Sequence, residues 1–334
     1  MNSLGRYLGV LKGRPVDFLP RLPILMQFAA EHIGSNYGAF ASDYRVLVEA
    51  NRACAVDFGM DQVSVISDPY RETQGFGAEI VYVTDGVPRC PHPPLEDSKD
   101  FSSLPRPNPL KAERMLDRVQ AVRSFKELFD GQYSIMGWVE GPAAEAADLR
   151  GATNFLIDLL DDEVFATELM DMLIGVGADF ARVQIEAGAD TIGIGDAIAS
   201  QVSPDLYERL ILPREKRLVK AIHEMGGLVR LHICGDTTHL LPGICELGVD
   251  IMDVDHMVDM PTVRKALGSG VALAGNINPV SGILSGTPDS IRETIRNTYK
   301  EVGNPFMVAA GCEIPSGTPE ENLRALCEPI PCCA

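Results

Sequence analysis

The sequence predicts a (β/α)₈ barrel, a fold in which eight parallel strands alternate with eight helices. Eight short apolar runs alternate with longer segments of helical pattern, as expected of parallel βαβ units. A polar residue ends each run, and a chain of 334 residues with 46% hydrophobic residues can bury a barrel core. The runs are "LPILMQF" from Leu22, "QVSVIS" from Gln62, "YSIMGWVE" from Tyr133, "DTIGIGD" from Asp190, "GLVRLHIC" from Gly227, "VDIMDVD" from Val249, "VALAGNI" from Val271 and "PFMVAAGC" from Pro305.

Helix signals fill the segments between these runs. "SDYRVLVEANRACAVDF" begins with a Ser N-cap, and the pattern "DEVFATELMDMLIGVGADFARVQIEAG" stops at Gly188. "SPDLYERLILPREKRLVKAIHEMGG" has a Ser-Pro start and a predicted kink near Pro213. An open doubly wound sheet is the alternative to the barrel. The chain has no GxGxxG motif after an early strand, which counts against a dinucleotide-binding sheet.

Two stretches lie outside the repeat, although we expect one domain over residues 1–334. Residues 1–20 form an N-terminal extension. An insertion over about 75–112 separates the second and third predicted strands. Its first part, "GAEIVYVTDGVPRC", alternates as a β-hairpin does, and its second part is rich in proline and aspartate. We interpret the insertion as a lid over the barrel mouth, with a flexible surface loop as the alternative.

Charge and composition exclude several classes of partner. The net charge is −18 and no basic run occurs, so we expect no nucleic acid and no anionic membrane as partners. No apolar stretch approaches the roughly 20 residues needed to span a bilayer. The N-terminus is too polar for a signal peptide, which favours a cytoplasmic protein. In the reducing cytoplasm, the eight cysteines of the chain are expected to be free, buried or metal-bound.

The ends of the predicted strands carry the candidate functional residues. In a (β/α)₈ barrel the carboxyl ends of the strands build the active site, so these side chains are expected around one mouth. In strand order the endings are Gln27, Asp68, Glu140, Asp196, the pair His232 and Cys234, the group Asp253, Asp255 and His256, then Asn276 and Cys312.

His232, Cys234 and Cys312 have the chemistry of a zinc site. His232 and Cys234 are two residues apart, so both side chains point to the same face of a strand. Cys312 ends the last strand. Two thiolates and one imidazole leave a fourth tetrahedral position open, which is typical of catalytic zinc. The alternative is that the cysteines are small buried hydrophobic residues.

Several motifs resemble the uroporphyrinogen decarboxylase superfamily, and within it the zinc-dependent corrinoid methyltransferases. They are "LHICGDT", "AGNINP", "GTPDSI" and "AAGCEIPSGTPEENLRAL". The resemblance covers nearly the whole chain and implies a (β/α)₈ barrel that binds Zn²⁺ through His232, Cys234 and Cys312. The decarboxylase branch has arginines in its N-terminal substrate-binding signature. Here that stretch reads "LPILMQFAAEHIG", so porphyrinogen decarboxylation is the less favoured activity.

The resemblance implies methyl transfer in one of two directions. In the favoured one, a methylated donor passes its methyl group to the Co(I) corrinoid of a separate carrier protein, and the expected donor is a methoxylated aromatic. The alternative is transfer from a methyl-corrinoid protein to a thiol such as coenzyme M. The preference rests on "MGWVEGPAAEAADLRG" and on the absence of a basic pair that would bind a sulfonate. The carriers' own D-x-H-x-x-G signature is absent, so the corrinoid must arrive on a partner.

Further residues are assigned by location alone. Glu140, Asp196 and Asp255 are candidates for the proton donor or hydrogen-bonding group that assists the leaving group. Gln27, Asn276 and His256 are candidates for substrate binding, and His256 or Asp255 for a fourth zinc ligand. Two other classes stay open: a metal-dependent protein that binds a methylated ligand without reaction, and a barrel with purely structural zinc.

Overall fold

The computed structural model describes residues 1–332, and a curled parallel sheet forms its centre. Its strands are β1 Gln62–Ser64, β2 Val81–Val83, β3 Gly86–Arg89, β4 Ser134–Glu140, β5 Thr191–Gly195, β6 Leu228–His232, β7 Ile251–Val254, β8 Ala272–Ile277 and β9 Phe306–Ala310. Seven of them pair in the order β1-β4-β5-β6-β7-β8-β9, and all these pairs are parallel. This is a TIM-barrel-like α/β fold, as predicted.

Helices follow the strands and cover the outside of the sheet. They are α1 Ser3–Leu11, α2 Gln27–His32, α3 Tyr37–Ser42, α4 Tyr44–Phe58, α5 Arg71–Gly75, α6 Glu113–Phe129, α7 Pro142–Arg150, α8 Ala152–Asp161, α9 Glu163–Ala187, α10 Pro204–Leu206, α11 Leu212–Glu224, α12 Leu241–Ile244, α13 Met260–Leu267, α14 Pro288–Val302 and α15 Glu320–Leu326. Over residues 1–332, no helix has the length and apolar character that crossing a bilayer requires.

The helix ends follow the predicted signals with one correction. Gly188 ends α9 at a positive φ of 124°, and the chain has a π-helical turn just before Pro213 and α11, at the predicted kink. The N-cap of α4 is Asp43 and not the predicted Ser42, because the Asp43 side chain accepts the backbone N–H of Arg45.

The first predicted strand, "LPILMQF", forms no regular strand. The segment still lies between β9 and β1. The backbone N–H of Val308 donates to Pro20 at 2.7 Å, and the N–H of Asp61 donates to Arg21 at 2.9 Å. Pro20 and Pro23 have no N–H to donate, so a continuous ladder cannot form there. An irregular segment therefore closes the barrel between its first and last strands.

Helix α1 covers the amino end of the barrel. The hydroxyl of Tyr7 lies 2.7 Å from Oγ1 of Thr191, at the start of β5. Tyr7 and Val10 pack against Ile251 and Met307 inside the strands. The predicted N-terminal extension is thus a packed part of the fold. The expectation of a single domain over the full length stays a prediction, since residues 333 and 334 are outside those described.

The insertion between β1 and β4 contains the predicted hairpin. β2 and β3 pair antiparallel, with Val81 opposite Arg89. The hairpin is anchored to α3, because the N–H of Gly38 donates to the carbonyl of Thr84 at 3.0 Å. The following loop is tied down by Leu95, whose N–H donates to Leu149 at 2.8 Å. These contacts attach both parts of the insertion to the barrel, and its role as a lid stays a prediction.

The sheet register places the carboxyl ends of the strands in one layer. Glu140 pairs with Gly195, Gly195 with His232, and His232 with Asp253. In a parallel barrel such neighbours face the same mouth. The candidate residues at the ends of β4 to β7 are therefore brought to one end of the molecule.

Candidate metal centre

Three soft ligands meet at the carboxyl end of the barrel. His232 ends β6, Cys234 lies two residues further on, and Cys312 follows the end of β9. Nε2 of His232 lies 3.1 Å from Sγ of Cys234 and 3.7 Å from Sγ of Cys312. The two sulfurs are 3.7 Å apart. The structure thus brings together the three residues that were predicted from the sequence as zinc ligands.

The spacing of these atoms fits zinc. Tetrahedral Zn²⁺ with Zn–S of about 2.3 Å and Zn–N of about 2.0–2.1 Å separates its ligand atoms by roughly 3.5–3.8 Å. Two of the three observed separations, at 3.7 Å, lie in this range, and the third, at 3.1 Å, is slightly shorter. A small adjustment of the His232 ring would suffice for all three to bind one ion. Soft sulfur ligands favour zinc over magnesium or calcium.

A buried carboxylate orients the imidazole. Nδ1 of His232 lies 3.1 Å from Oδ2 of Asp253, and both oxygens of Asp253 accept from Nε of Arg230, at 2.8 and 3.0 Å. Carboxylates that hold the second nitrogen of a metal-binding histidine fix its tautomer and strengthen the ligand. Sequence reasoning gave Asp253 and Arg230 no such role. An arginine inside an apolar strand was the available signal, because a buried guanidinium requires a carboxylate partner.

The three groups differ in protonation. Hydrogen bonds from Cys234 and His232 hold the pKa of Cys312 at about 4. The hydrogen bond with Cys312 and burial raise the pKa of Cys234. Burial opposes the imidazolium form, but hydrogen bonds with Asp253 and the two cysteines raise the pKa of His232 above its usual range. Cys312 is therefore the group in the deprotonated form that a metal requires, and Zn²⁺ would displace the protons of Cys234 and His232.

The three ligands line a cavity of about 190 Å³ at the barrel mouth. Its wall is largely apolar, with contributions from the irregular first segment, the hairpin and the ends of five strands. The lining residues are Ile24, Met26, Tyr37, Ile66, Ser67, Asp68, Pro69, Val87, Trp138, Glu140, Gly195, Ala197, His232, Cys234, Cys312 and Glu313. A compact molecule that reached the open side of the ligand set would thus be held mainly by apolar contact.

The family follows from a comparison that spans the chain. The model of the uroporphyrinogen decarboxylase family (URO-D) matches residues 2–330. The chain belongs to the uroporphyrinogen decarboxylase family. This confirms the assignment made above from the motifs.

Individual members of the family include enzymes of two kinds. A methylcobamide:CoM methyltransferase of Methanosarcina mazei is 27% identical over 332 residues, which cover 97% of this chain and 96% of the relative. A uroporphyrinogen decarboxylase of Microcystis aeruginosa is 26% identical over 336 residues, covering 94% of each. The first name agrees with the predicted enzyme class, a corrinoid-dependent methyltransferase.

A solved structure of a methyltransferase from Methanosarcina mazei has the same fold as the present chain. It aligns with a TM-score of 0.89 at 23% identity and covers 98% of this chain and 97% of the other. The predicted barrel class is confirmed by this likeness.

Glu140 is the predicted catalytic residue that the fold places in the cavity wall. It ends β4, and its side chain is 8% exposed. Its Oε1 accepts from Nη2 of Arg71 at 2.6 Å and from Nε1 of Trp138 at 2.9 Å. Burial raises the pKa of Glu140 to about 8, although Arg71 opposes this.

Asp196 is turned away from the cavity and stabilises a helix. Its carboxylate accepts the backbone N–H of Ala144 at 2.7 Å and of Ala143 at 3.3 Å, at the start of α7. Burial and the neighbouring Glu215 carboxyl raise the pKa of Asp196. The geometry therefore supports a structural role for Asp196 and gives no support to the expected catalytic one.

Asp255, His256 and Asn276 organise the loop after β7. The Asp255 carboxylate accepts the N–H of Gly235 and of Met257, both at 2.9 Å, and its Oδ1 lies 2.9 Å from Nδ1 of His256. The Asn276 amide donates to the carbonyl of residue 258 at 2.7 Å. None of the three lines the cavity. Among residues 1–332, the compact ligand group contains only His232, Cys234 and Cys312, so neither expected fourth ligand joins it.

Gln27 also points away from the cavity. Its backbone N–H donates to Oε1 of Glu313 at 2.9 Å, and its side-chain amide donates to Glu31 at 3.1 Å. The preceding residue, Met26, lines the cavity in its place. The expected contact between Gln27 and substrate therefore has no support in this geometry, and Met26 and Glu313 are the residues that sequence reasoning missed here.

Proposed function

We propose that this protein transfers a methyl group from the methyl-Co(III) corrinoid of a separate carrier protein to a small thiol of the coenzyme M type. The observation that carries the proposal is the triangle of His232 Nε2, Cys234 Sγ and Cys312 Sγ, with edges of 3.1 to 3.7 Å, on the wall of a small cavity. Support also comes from methylcobamide:CoM methyltransferases that match nearly the full chain.

The proposed roles follow from the chain's own contacts. Zn²⁺ held by His232, Cys234 and Cys312 would supply a thiol substrate in its nucleophilic thiolate form at neutral pH. Asp253 holds the His232 ring in the orientation that directs Nε2 to the metal position. Once a carrier covered the mouth, the apolar side chains around the cavity would limit access of water, which would strengthen electrostatic interactions inside it.

The opposite direction, demethylation of a methoxylated aromatic with methylation of Co(I), is less well supported than the thiol reaction. The segment that favoured it in the sequence, "MGWVEGPAAEAADLRG", forms β4 and α7. Trp138 and Glu140 of this segment line the cavity, whereas Glu145 accepts from Thr73 inside the protein. These placements do not favour one direction of transfer over the other. The relatives' names describe transfer to coenzyme M.

Decarboxylation of uroporphyrinogen is not proposed, although some relatives carry that name. The cavity of about 190 Å³ is small for a tetrapyrrole. No lysine or arginine is among its lining residues within 1–332, whereas Asp68, Glu140 and Glu313 are. A substrate with many carboxylates would lack the cations that it needs there.

The proposed carrier protein would dock over the barrel mouth, because a corrinoid is much larger than the cavity. Exposed apolar side chains lie on segments that border this mouth: Val87 on β3 is 48% exposed, Met257 after β7 is 60% and Val280 after β8 is 58%. Val87 also lines the cavity, so the hairpin would contact both carrier and substrate.

The direct test uses zinc-loaded protein, free methylcobalamin and coenzyme M, with loss of the methyl-Co(III) absorbance as the readout. We expect loss that depends on the thiol and on zinc. A chelated sample and the Cys312→Ala variant are the controls, and both should be inactive. Methylation of reduced Co(I) cobalamin by a methoxyarene, without any reaction of coenzyme M, would overturn the proposal in favour of the demethylase direction.

A further inference from the structure

The two oxygens of Glu140 have different surroundings. Oε1 accepts two hydrogen bonds, from Arg71 and from the indole N–H of Trp138. Oε2 accepts no hydrogen bond from residues 1–332. It lies on the side of Gly195, where an added Cβ would come within 3.2 Å of it. Both Glu140 and Gly195 line the cavity. A proton on this carboxyl would therefore reside on Oε2, the oxygen next to the cavity.

The charges around Glu140 are mostly negative. Arg71 is the buried cation in contact with it, at 2.6 Å, and Arg71 also contacts Asp68 and Glu72, at 3.8 and 4.0 Å. Asp68 has its own partner in Arg114. One guanidinium is thus shared between Glu140 and Glu72.

Further acidic groups approach from the helix that follows β4. Glu145 of α7 is buried and Asp148 is half-buried. Burial raises the pKa of both carboxyls, and the nearby charges of Glu140 and Glu72 raise it further. Carboxyls outnumber cations in this cluster, and not all of them can ionise in a buried environment. A proton shared among them is the physical consequence.

We propose that Glu140 is held as an uncharged carboxylic acid that donates a hydrogen bond from Oε2 to an anionic group of the substrate. As a carboxylate, Glu140 would repel a thiolate or a sulfonate in a cavity without a lining lysine or arginine. As an acid, it offers these groups a donor. The substrate's identity rests on the proposed function, whereas the protonation of Glu140 does not.

The protonation can be measured without substrate, because Trp138 is the single tryptophan of the chain. Its indole N–H donates to Glu140, so its emission should change when Glu140 ionises. In zinc-loaded protein, where the His232 ring is held by the metal, we expect an emission transition near pH 8. The transition should vanish in Glu140→Gln and persist in Glu215→Gln, a buried carboxyl without contact to Trp138. A flat profile in the unaltered protein, or a transition that survives in Glu140→Gln, would overturn the proposal.

The donor role is tested by coenzyme M binding, followed by calorimetry. Glutamine accepts from Arg71 and Trp138 as Glu140 does, and its amide can donate where Oε2–H does. We expect Glu140→Gln to keep its affinity within about threefold at pH 7, and Glu140→Ala to lose roughly tenfold or more. Above pH 8 the affinity of the unaltered protein should fall relative to Glu140→Gln by roughly tenfold per pH unit.

Two other outcomes separate the proposals. Equal loss in Glu140→Gln and Glu140→Ala would show that the charged carboxylate is needed and would refute the donor role. An emission transition of the expected kind in a protein that methylates no thiol would instead refute the proposed function and leave the protonation of Glu140 standing.

Discussion

At the scale of single residues, the proposed role of His232 as a zinc ligand depends on Asp253. Asp253 is 3% exposed and holds both the His232 ring and the guanidinium of Arg230. We expect Asp253→Asn to weaken zinc binding about 10- to 100-fold, since loss of an orienting carboxylate has effects of that size. Competition with a chelator measures the zinc affinity of the variant and of the unaltered protein. Asp250→Asn, at the amino end of the same strand, should bind zinc normally; an unchanged affinity in Asp253→Asn would contradict the role given to Asp253.

The two cysteines proposed as zinc ligands give a second test at this scale. Cys234→Ala and Cys312→Ala should each lose bound zinc and methyl transfer while the far-ultraviolet circular dichroism stays that of a folded barrel. Cys245→Ala removes an exposed thiol outside the cavity and should keep a full equivalent of zinc. Metal analysis of the three purified variants decides the point, and one zinc per chain in either ligand variant would exclude the assigned site.

At the scale of elements, alternating apolar runs were enough to predict seven of the eight barrel segments. The first segment is irregular because Pro20 and Pro23 interrupt its ladder, and a run of apolar letters does not show which backbone partners are available. The cluster of His232, Cys234 and Cys312 was predictable because metal ligation requires particular side chains; their binding of zinc stays a prediction. The contacts of Asp196 were not predictable, because a carboxylate at a strand end can equally bind the amides of a neighbouring helix, and only the fold shows which it does.

The assignment of Asp196 to α7 is testable through stability. Asp196→Ala removes the acceptor for the N–H groups of Ala143 and Ala144, so we expect a loss of about 1–2 kcal/mol in the free energy of unfolding. Asp196→Asn keeps an acceptor oxygen and should lose less. Denaturant unfolding with zinc binding as a parallel readout is the measurement. Unchanged stability together with abolished methyl transfer would contradict the structural role and support a catalytic role for Asp196.

At the scale of the whole molecule, buried acids should make stability depend on pH. Several carboxyls have pKa values raised by burial, among them Glu140 at about 8 and Glu215 and Glu313 at about 7. Between their unfolded values near 4 and these folded values, the folded protein binds more protons than the unfolded chain. Stability therefore falls as pH rises through this window.

We expect the Tm to drop by about 5–10 °C between pH 5 and pH 8, given that 1 kcal/mol shifts the Tm of a large domain by about 2–4 °C. Glu145→Gln should reduce the drop, because it replaces one buried acid with a neutral side chain that Thr73 can still contact. Differential scanning calorimetry at several pH values provides the measurement, and a Tm that rises toward pH 8 would contradict the sign.

The packing of α1 across the amino end of the barrel has a kinetic consequence for the proposed reaction. Tyr7 and Val10 fill that end of the barrel, so substrate and product would pass through the opposite opening. A docked carrier would cover the same opening. The thiol would then have to enter before the carrier arrives, and the thioether would leave only after the carrier departs. Turnover would follow a compulsory order of binding and release, because thiol, thioether and carrier would all use the same opening.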